Sequence, residues 1–467
     1  MRNRPKGGSG IAEVLGLPRL AAMSVLDKAW FDELSELLRI KSVSADPAHG
    51  DDVVRAAEWV ADKIRRGGGE AELVPYGERP LVVGEIRASA GADSAPTILC
   101  YGHFDVQPPA PLDLWESDPF EATIRDEWLY ARGVADDKGQ LWMLLHAAGQ
   151  LAAEGALPIN IRIVSDGEEE VGGQSIVQFL EEDERGADAC VIFDGGMESR
   201  DLPALSIATR GLAAFNIRVH TGERDLHSGM YGNAAMNAIH ALTETLGGIL
   251  PRDGRVPDAL RIGITPVTDE ERDGWAQQPA GTDVLRDAGA VPYDPKAADE
   301  FYIRTTAEPS VEVNGILGGK PGLKNTTVVS DARANFTVRL APGQTPDAVV
   351  PEVQRLLREA APEGARVEVE ELAGSTRPGL VATDSQVIKI AQDAFESAFG
   401  IRPILTRSGG TLPIMPALQD KGIPTILTGF ALPESNVHSP NERMLVEFFP
   451  RGVDTIRELY TRLGDLS

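Results

Sequence analysis

Five residues able to hold a metal ion, His103, Asp136, Glu170, Asp194 and His438, are scattered over most of the chain. A fold that uses them together must gather five distant segments at one edge. The segments are Tyr101-Gly-His-Phe-Asp105, Ala135-Asp-Asp-Lys-Gly139, Glu168-Glu-Glu-Val-Gly172, Phe193-Asp-Gly-Gly196 and Val437-His-Ser439. His103 follows the apolar run Ile98–Tyr101, Asp194 follows Cys190–Phe193, and Glu169 and Glu170 come shortly after Ile161–Val164. In open α/β sheets, ligands bind at the carboxyl ends of the strands, so these placements point to one site before any motif is invoked.

The surrounding pattern supports such a sheet. A helical period runs from Ala29 to about Arg66, with Trp30, Leu34, Leu37 and Leu38 on one face. After it, buried β runs at 97–101, 160–164 and 189–193 alternate with helical runs at 138–153 and 175–182. This order predicts an α/β fold: a catalytic domain with a largely parallel central sheet flanked by helices. Beyond Arg210 the pattern changes. A half-exposed strand at 213–220, a helix from Ala234 to about Leu246, strands near 335–340 and 366–371 and a helix at 347–360 predict an inserted α+β domain. Between them an irregular stretch rich in Pro, Gly and Asp runs from Leu250 to about Pro309. A helix from Ser385 and a buried strand at 424–428 return to the first style. The expected layout is 1–22 as a disordered extension upstream of Met23, 23–210 and 381–467 as the catalytic domain, and 211–380 as an inserted lid.

The 467 residues suffice for more than one domain. A net charge of −26 argues against a nucleic-acid groove, which needs a basic stripe. No window is long and apolar enough to span a bilayer, and the basic N-terminus lacks a signal-peptide core. Cys100 and Cys190, the two cysteines, both lie in apolar runs. A disulfide framework and a thiolate zinc site are therefore disfavoured, and a cytoplasmic setting is expected.

Imidazole and carboxylate without thiolate suit a catalytic pair of divalent ions, zinc first, with manganese or cobalt as alternatives. Asp136 is placed as the bridge between the two ions, His103 with Asp194 on one, and Glu170 with His438 on the other. Asp105 is expected to accept the His103 N–H and fix its tautomer. Glu169, next to the ligand Glu170, is the expected general base. Each segment alone has a plainer explanation, since Asp-Asp and Glu-Glu-Glu are ordinarily solvated turns; the joint placement carries the argument. His49, His146, His220 and His240 are expected to be structural, and Asp137 to form a salt bridge or start a helix. No Gly-x-Ser-x-Gly elbow occurs, and Gly318-Gly-Lys-Pro321 has Pro where a phosphate loop needs Ser or Thr.

These motifs, in this order, resemble the M20 metallopeptidases over about residues 25–465. Gly102-His-Phe-Asp-Val-Gln-Pro108, Ala135-Asp-Asp-Lys-Gly139, Asp225-Leu-His-Ser-Gly229 and His438-Ser-Pro-Asn-Glu442 are most similar to its carnosinase-like dipeptidases. The resemblance implies two metal ions per subunit and hydrolysis of a dipeptide amide by a water between them. With Gly172 closing the Glu-Glu-x-Gly pattern, it also implies Glu169 as base and Glu170 as ligand. It implies further that the inserted domain is a lid through which a homodimer forms. His227 would then steady the oxyanion in a neighbouring subunit's site. Arg339 would grip a substrate carboxylate, with Thr326 and the turn Gly409-Gly410-Thr411 completing that pocket. Two departures bear on the substrate: Ser408 stands where carnosinase-like enzymes carry an acidic residue, and Ala373-Gly-Ser-Thr-Arg377 lacks their histidine. An N-acyl amino acid deacylase of the same fold is the second expectation, and a non-catalytic metal-binding protein the third.

Overall fold

The computed structural model describes residues 28–76, 79–322 and 325–466. The expected extension at 1–22 lies outside the described residues. The chain divides into two compact units. One holds the residues up to Ala95, Cys100–Val171 and Gly429–Gly464; the other holds Pro96–Leu99, Gly172–Thr428 and the chain from Asp465. The strand Thr97–Tyr101 is shared between them.

In the first unit, Glu70–Tyr76 and Asn160–Ser165 both run antiparallel to Arg79–Ile86, and Thr97–Tyr101 comes next in the sheet. Every position of Asn160–Ser165 is buried, as a strand covered on both faces requires. Helix Lys138–Ala153 is Leu- and Ala-rich because most of its surface is covered. It packs against helix Phe448–Leu463. Its first residue, Lys138, is wholly buried, and its ammonium donates to the carbonyls of Leu37 (3.2 Å) and Ile40 (2.6 Å). Those carbonyls sit at the end of helix Lys28–Leu38, where intrahelical donors run out. The long helical pattern at 29–66 is thus broken in two. Ser42 turns its hydroxyl onto the Phe104 carbonyl at 2.6 Å, and Asp46 caps a short 3-10 turn beginning at Pro47. The helix resumes at Gly50–Arg66.

In the second unit the sheet order continues from Thr97–Tyr101 through Ala189–Ile192 to Thr425–Leu427, the last two strands running parallel. The strand pairing is therefore mixed, antiparallel in the first unit and parallel between these two strands of the second. The same unit contains a four-stranded antiparallel sheet in the order Ser310–Gly318, Asp331–Leu340, Gly211–His220, Arg366–Glu371. Helices Ala238–Leu246 and Pro346–Ala360 close its apolar face. Phe215 and Phe336 stack in that core at 4.9 Å, each fully buried ring worth about 1.5–3 kcal/mol.

The sequence pattern did not reveal Ser310–Gly318. Its alternation is interrupted by Gly315 and by a bulge between Val313 and Gly315, which shifts the side chains by one position. The irregular stretch at 250–309 holds two short helices, Asp269–Trp275 and Gly281–Asp287, the first closed by a Thr268–Glu271 capping box. Both cysteines are buried thiols. Among the described residues no helix is long and apolar enough to cross a membrane.

Candidate metal centre

His103 stands two residues past the strand Thr97–Tyr101 and is entirely buried. Its backbone N–H donates to Asp137 Oδ2 at 3.1 Å, so the residue that starts the next helix also holds the His103 backbone. Its ring Nδ1 lies 3.2 Å from both the carbonyl and the Oδ1 of Asp105, with better hydrogen-bond alignment to the carbonyl. Either partner leaves Nε2 to face the Asp136 carboxylate. The other carboxylate oxygen of Asp105 accepts the Glu170 N–H at 3.1 Å. Asp105 thus fixes two candidate ligands at once.

Asp136 lies in the turn that precedes helix Lys138–Ala153. Its Oδ1 is 3.0 Å from His103 Nε2, and its Oδ2 is 2.9 Å from His438 Nε2. Each oxygen therefore faces a different imidazole, the disposition a bridging carboxylate needs. His438 Nε2 is also 3.1 Å from Glu170 Oε2, and the ligand atoms of Asp136, Glu170 and His438 lie within 4.8 Å of one another.

Three residues outside the expected set hold this arrangement. The Glu442 carboxylate accepts the backbone N–H groups of Gly133 (3.0 Å), Ala135 (2.8 Å) and Asp136 (3.1 Å). It also takes the guanidinium of Arg132 at 2.7 Å, with both side chains at most 1% exposed. Gln107 donates through Nε2 to Glu170 Oε2 at 2.8 Å. Glu442 and Gln107 lie inside the motifs His438–Glu442 and Gly102–Pro108, but nothing in the sequence says that their partners are backbone N–H groups or a ligand so far along the chain. Arg132 gave no signal at all. The backbone bearing His438 is left-handed, with φ +61° there, +54° at Asn436 and +60° at Asn441. None of these is glycine, so each sits in a sparsely populated region.

The electrostatics are those of a site made for cations. Burial alone would raise the Asp136 carboxyl, yet the His103 and His438 imidazoles hold it well below the usual range. Hydrogen bonds to Asp136 and Glu170 push His438 up to about 10. Glu170 Oε1 is buried with no hydrogen-bond partner. That orphaned oxygen, the bridging disposition of Asp136 and an all-nitrogen-and-oxygen donor set fit divalent ions. Glu169 precedes Glu170 in a 3-10 turn, and Gly172 leaves it with φ +69°, a conformation that suits glycine. Burial first, then Glu170, Asp136 and Asp105, push Glu169 up to about 7 against the pull of His103.

The remaining expected residues belong to the second unit. Asp194 lies two residues past strand Ala189–Ile192. His227 is exposed, and its Nδ1 accepts the Gly229 N–H at 3.0 Å, which leaves the ring proton on Nε2. Thr326 lies beside it, its carbonyl accepting the Ser228 N–H at 2.8 Å. Arg339 and Thr411 are brought together, the guanidinium donating to the Thr411 hydroxyl at 2.7 Å. The Gly410 carbonyl takes the Arg210 N–H at 2.9 Å, and Ser408 Oγ accepts the Gly410 N–H at 3.1 Å. Elsewhere, His49 pairs with Asp52, His220 pairs with Asp331, and His146 stacks on Trp142.

Known proteins resemble this chain along most of its length. The cysteinylglycine-S-conjugate dipeptidase of Corynebacterium striatum is 30% identical over 419 residues, covering 88% of this chain and 90% of that protein. The human Beta-Ala-His dipeptidase is 28% identical over 437 residues, covering 88% and 85%. The crystal structure of human carnosine dipeptidase 1 superposes with a TM-score of 0.77 at 24% identity over 96% of this chain and 98% of the other, a likeness of fold. The M20 family metallo-carboxypeptidase Sso-CP2 from Sulfolobus solfataricus gives a TM-score of 0.82 at 25% identity, over 93% and 99%. Residues 99–462 match peptidase family M20/M25/M40. With its metal-ready carboxylates and imidazoles in place, the chain belongs to peptidase family M20/M25/M40 and is a hydrolase of the metallopeptidase kind.

Proposed function

We propose that this enzyme cleaves the amide bond of dipeptides with a pair of divalent ions. The observation that carries the reading is the Asp136 carboxylate, whose two oxygens face separate imidazoles. The dipeptidase names of the relatives from Corynebacterium striatum and human support the substrate class. His103 and Asp194 would hold one ion, Glu170 and His438 the other, and Asp136 would serve both. Zinc is the favoured metal, with manganese or cobalt as alternatives, because the donors are imidazole and carboxylate.

A bound pair of ions supplies positive charge that polarises the scissile carbonyl and makes water more acidic. Glu169 takes a proton from the attacking water and returns it to the leaving nitrogen. Its burial suits that exchange, because a carboxylate kept out of solvent is a stronger base. Asp105 holds the His103 ring and the Glu170 backbone in place. Arg339, with Thr411, Gly410 and Thr326, orients the substrate carboxylate.

Residues 211–380 act as a lid and as the surface of a homodimer. Ile316 and Leu317, 59% and 52% exposed on the edge strand Ser310–Gly318, support that reading, since an open apolar edge invites a second chain. His227 of the second copy donates Nε2–H to the oxyanion. Buried, reduced cysteines agree with a cytoplasmic setting.

The test is hydrolysis of a panel of dipeptides and their N-acetylated forms with zinc and with manganese. Cleavage of free dipeptides is expected. Exclusive cleavage of the N-acyl forms would establish the deacylase reading instead. Ser408 favours that second reading, since no carboxylate precedes Gly409 to receive a free amino group.

A further inference from the structure

Five arginines line a cavity of about 570 Å³ in the second unit. Three have carboxylate partners: Arg255 with Glu300, Arg261 with Glu308, and Arg304 with Asp294. Arg210 and Arg339 have none within ion-pair distance among the described residues. In a chain with 71 acidic and 45 basic residues, two neighbouring guanidinium ions with no carboxylate at ion-pair distance require an explanation.

The fold brings the two together. Arg339 sits between Ser310 and Leu212 in the antiparallel sheet. Arg210, just before strand Gly211–His220, reaches across to the Ser310 hydroxyl through Nη1 at 3.3 Å and to the Gly409 carbonyl through Nε at 3.0 Å. Arg339 donates through Nη1 to Thr411. Both side chains line the cavity, and their other N–H groups make no hydrogen bond with the described residues. Neither side chain is at ease there. Burial, followed by the Arg339 charge, pulls Arg210 down to about 10 against the opposing pull of Glu312, and burial lowers Arg339. Two partly desolvated like charges repel, and an occupant bearing two anionic groups removes both penalties.

We propose that Arg210 and Arg339 form a paired-arginine site for dipeptides whose C-terminal residue is acidic, Arg339 binding the main-chain carboxylate and Arg210 the side-chain carboxylate. This rests on the dipeptidase reading. Arg210 is the specificity-determining residue, and its fork distinguishes a carboxylate from an isosteric carboxamide. A carboxamide presents one acceptor and no charge, whereas a carboxylate meets the guanidinium with two oxygens.

The experiment compares Ala-Glu with Ala-Gln, substrates of the same shape, using the metal-loaded enzyme. The expected kcat/KM ratio is about tenfold or more in favour of Ala-Glu, as charge-assisted bidentate bonds imply. Arg210→Met should bring that ratio toward one, and Arg210→Lys, which keeps the charge and the reach, should retain part of it. Hydrolysis of both dipeptides at equal rates by the wild type would overturn the inference while leaving the dipeptidase reading intact. If no dipeptide is cleaved, the dipeptidase reading falls and calorimetry decides the inference separately. Glutamate binding at least about tenfold more tightly than glutamine supports the site, and equal affinity overturns it.

Discussion

Glu442 accepts the backbone N–H of Asp136 at 3.1 Å while standing four residues from His438 in the chain. One buried carboxylate therefore ties together two segments that each supply a metal-ligand candidate. Glu442→Gln keeps the size, but turns an amide N–H₂ toward backbone donors and leaves Arg132 unpaired. Breaking a buried pair costs about 3–5 kcal/mol. Losing a group that orients ligands lowers metal affinity about 10–100-fold. The expected outcome is a lower melting temperature together with weaker zinc and manganese binding by calorimetric titration. Unchanged metal affinity would remove the positioning role.

Glu169→Ala is expected to keep both ions, measured by elemental analysis, and to lower kcat by about 10²–10⁴-fold, the range of a general base. Full activity in that variant would sink the assignment of Glu169.

His227→Ala should leave metal content intact and lower turnover by about 10²–10³-fold, as loss of an oxyanion donor does. Mixing His227→Ala with Glu169→Ala gives a sharper readout. If His227 serves the neighbouring subunit, hybrid dimers regain one working site and activity reappears on mixing and exchange. Persistent inactivity in verified hybrids would place His227 outside that role.

Acid stability offers a test away from the metals. Burial pushes the Glu33 carboxyl up, but the His146 ring 3.8 Å away and hydrogen bonds from Lys63 and Trp142 outweigh it and hold it at about 2 against an ordinary 4.5. Lys63 Nζ donates at 2.6 Å and Trp142 Nε1 at 2.9 Å. A depressed folded-state value means that the contribution is full above about 4.5 and is lost as pH falls towards about 2. Glu33→Gln should melt on the order of 2 °C lower at pH 7, with the gap closing between pH 4.5 and 2. A gap independent of pH would show that the charge of Glu33 contributes nothing.

Much of this molecule was legible because its signals are local. The strands at Thr97–Tyr101, Asn160–Ser165 and Ala189–Ile192 are short, continuous apolar runs, and the ligand candidates follow them within a few residues. Glu70–Tyr76 and Ser310–Gly318 were missed because both are partly exposed, and their composition does not declare a period. The break within 29–66 is hidden because the apolar face continues past it; the hydroxyl of Ser42 and the cap at Asp46 set it through partners distant in sequence or specific in geometry. In the site, residues that face a metal could be named from type and position. Residues that hold the backbone could not: Glu442 recognises N–H groups that every sequence possesses, and Arg210 is marked only by the carboxylate it lacks.

The left-handed backbone at His438 matters to anyone who would graft this centre onto another scaffold. A non-glycine residue in that region costs about 1–2 kcal/mol, and His438 is flanked by two more such positions. Copying the imidazoles and carboxylates alone would let a new loop relax to ordinary dihedral angles and swing His438 away. The smallest portable piece is therefore residues 436–442 together with 132–136, moved as a unit with Glu442 already seated on its amides.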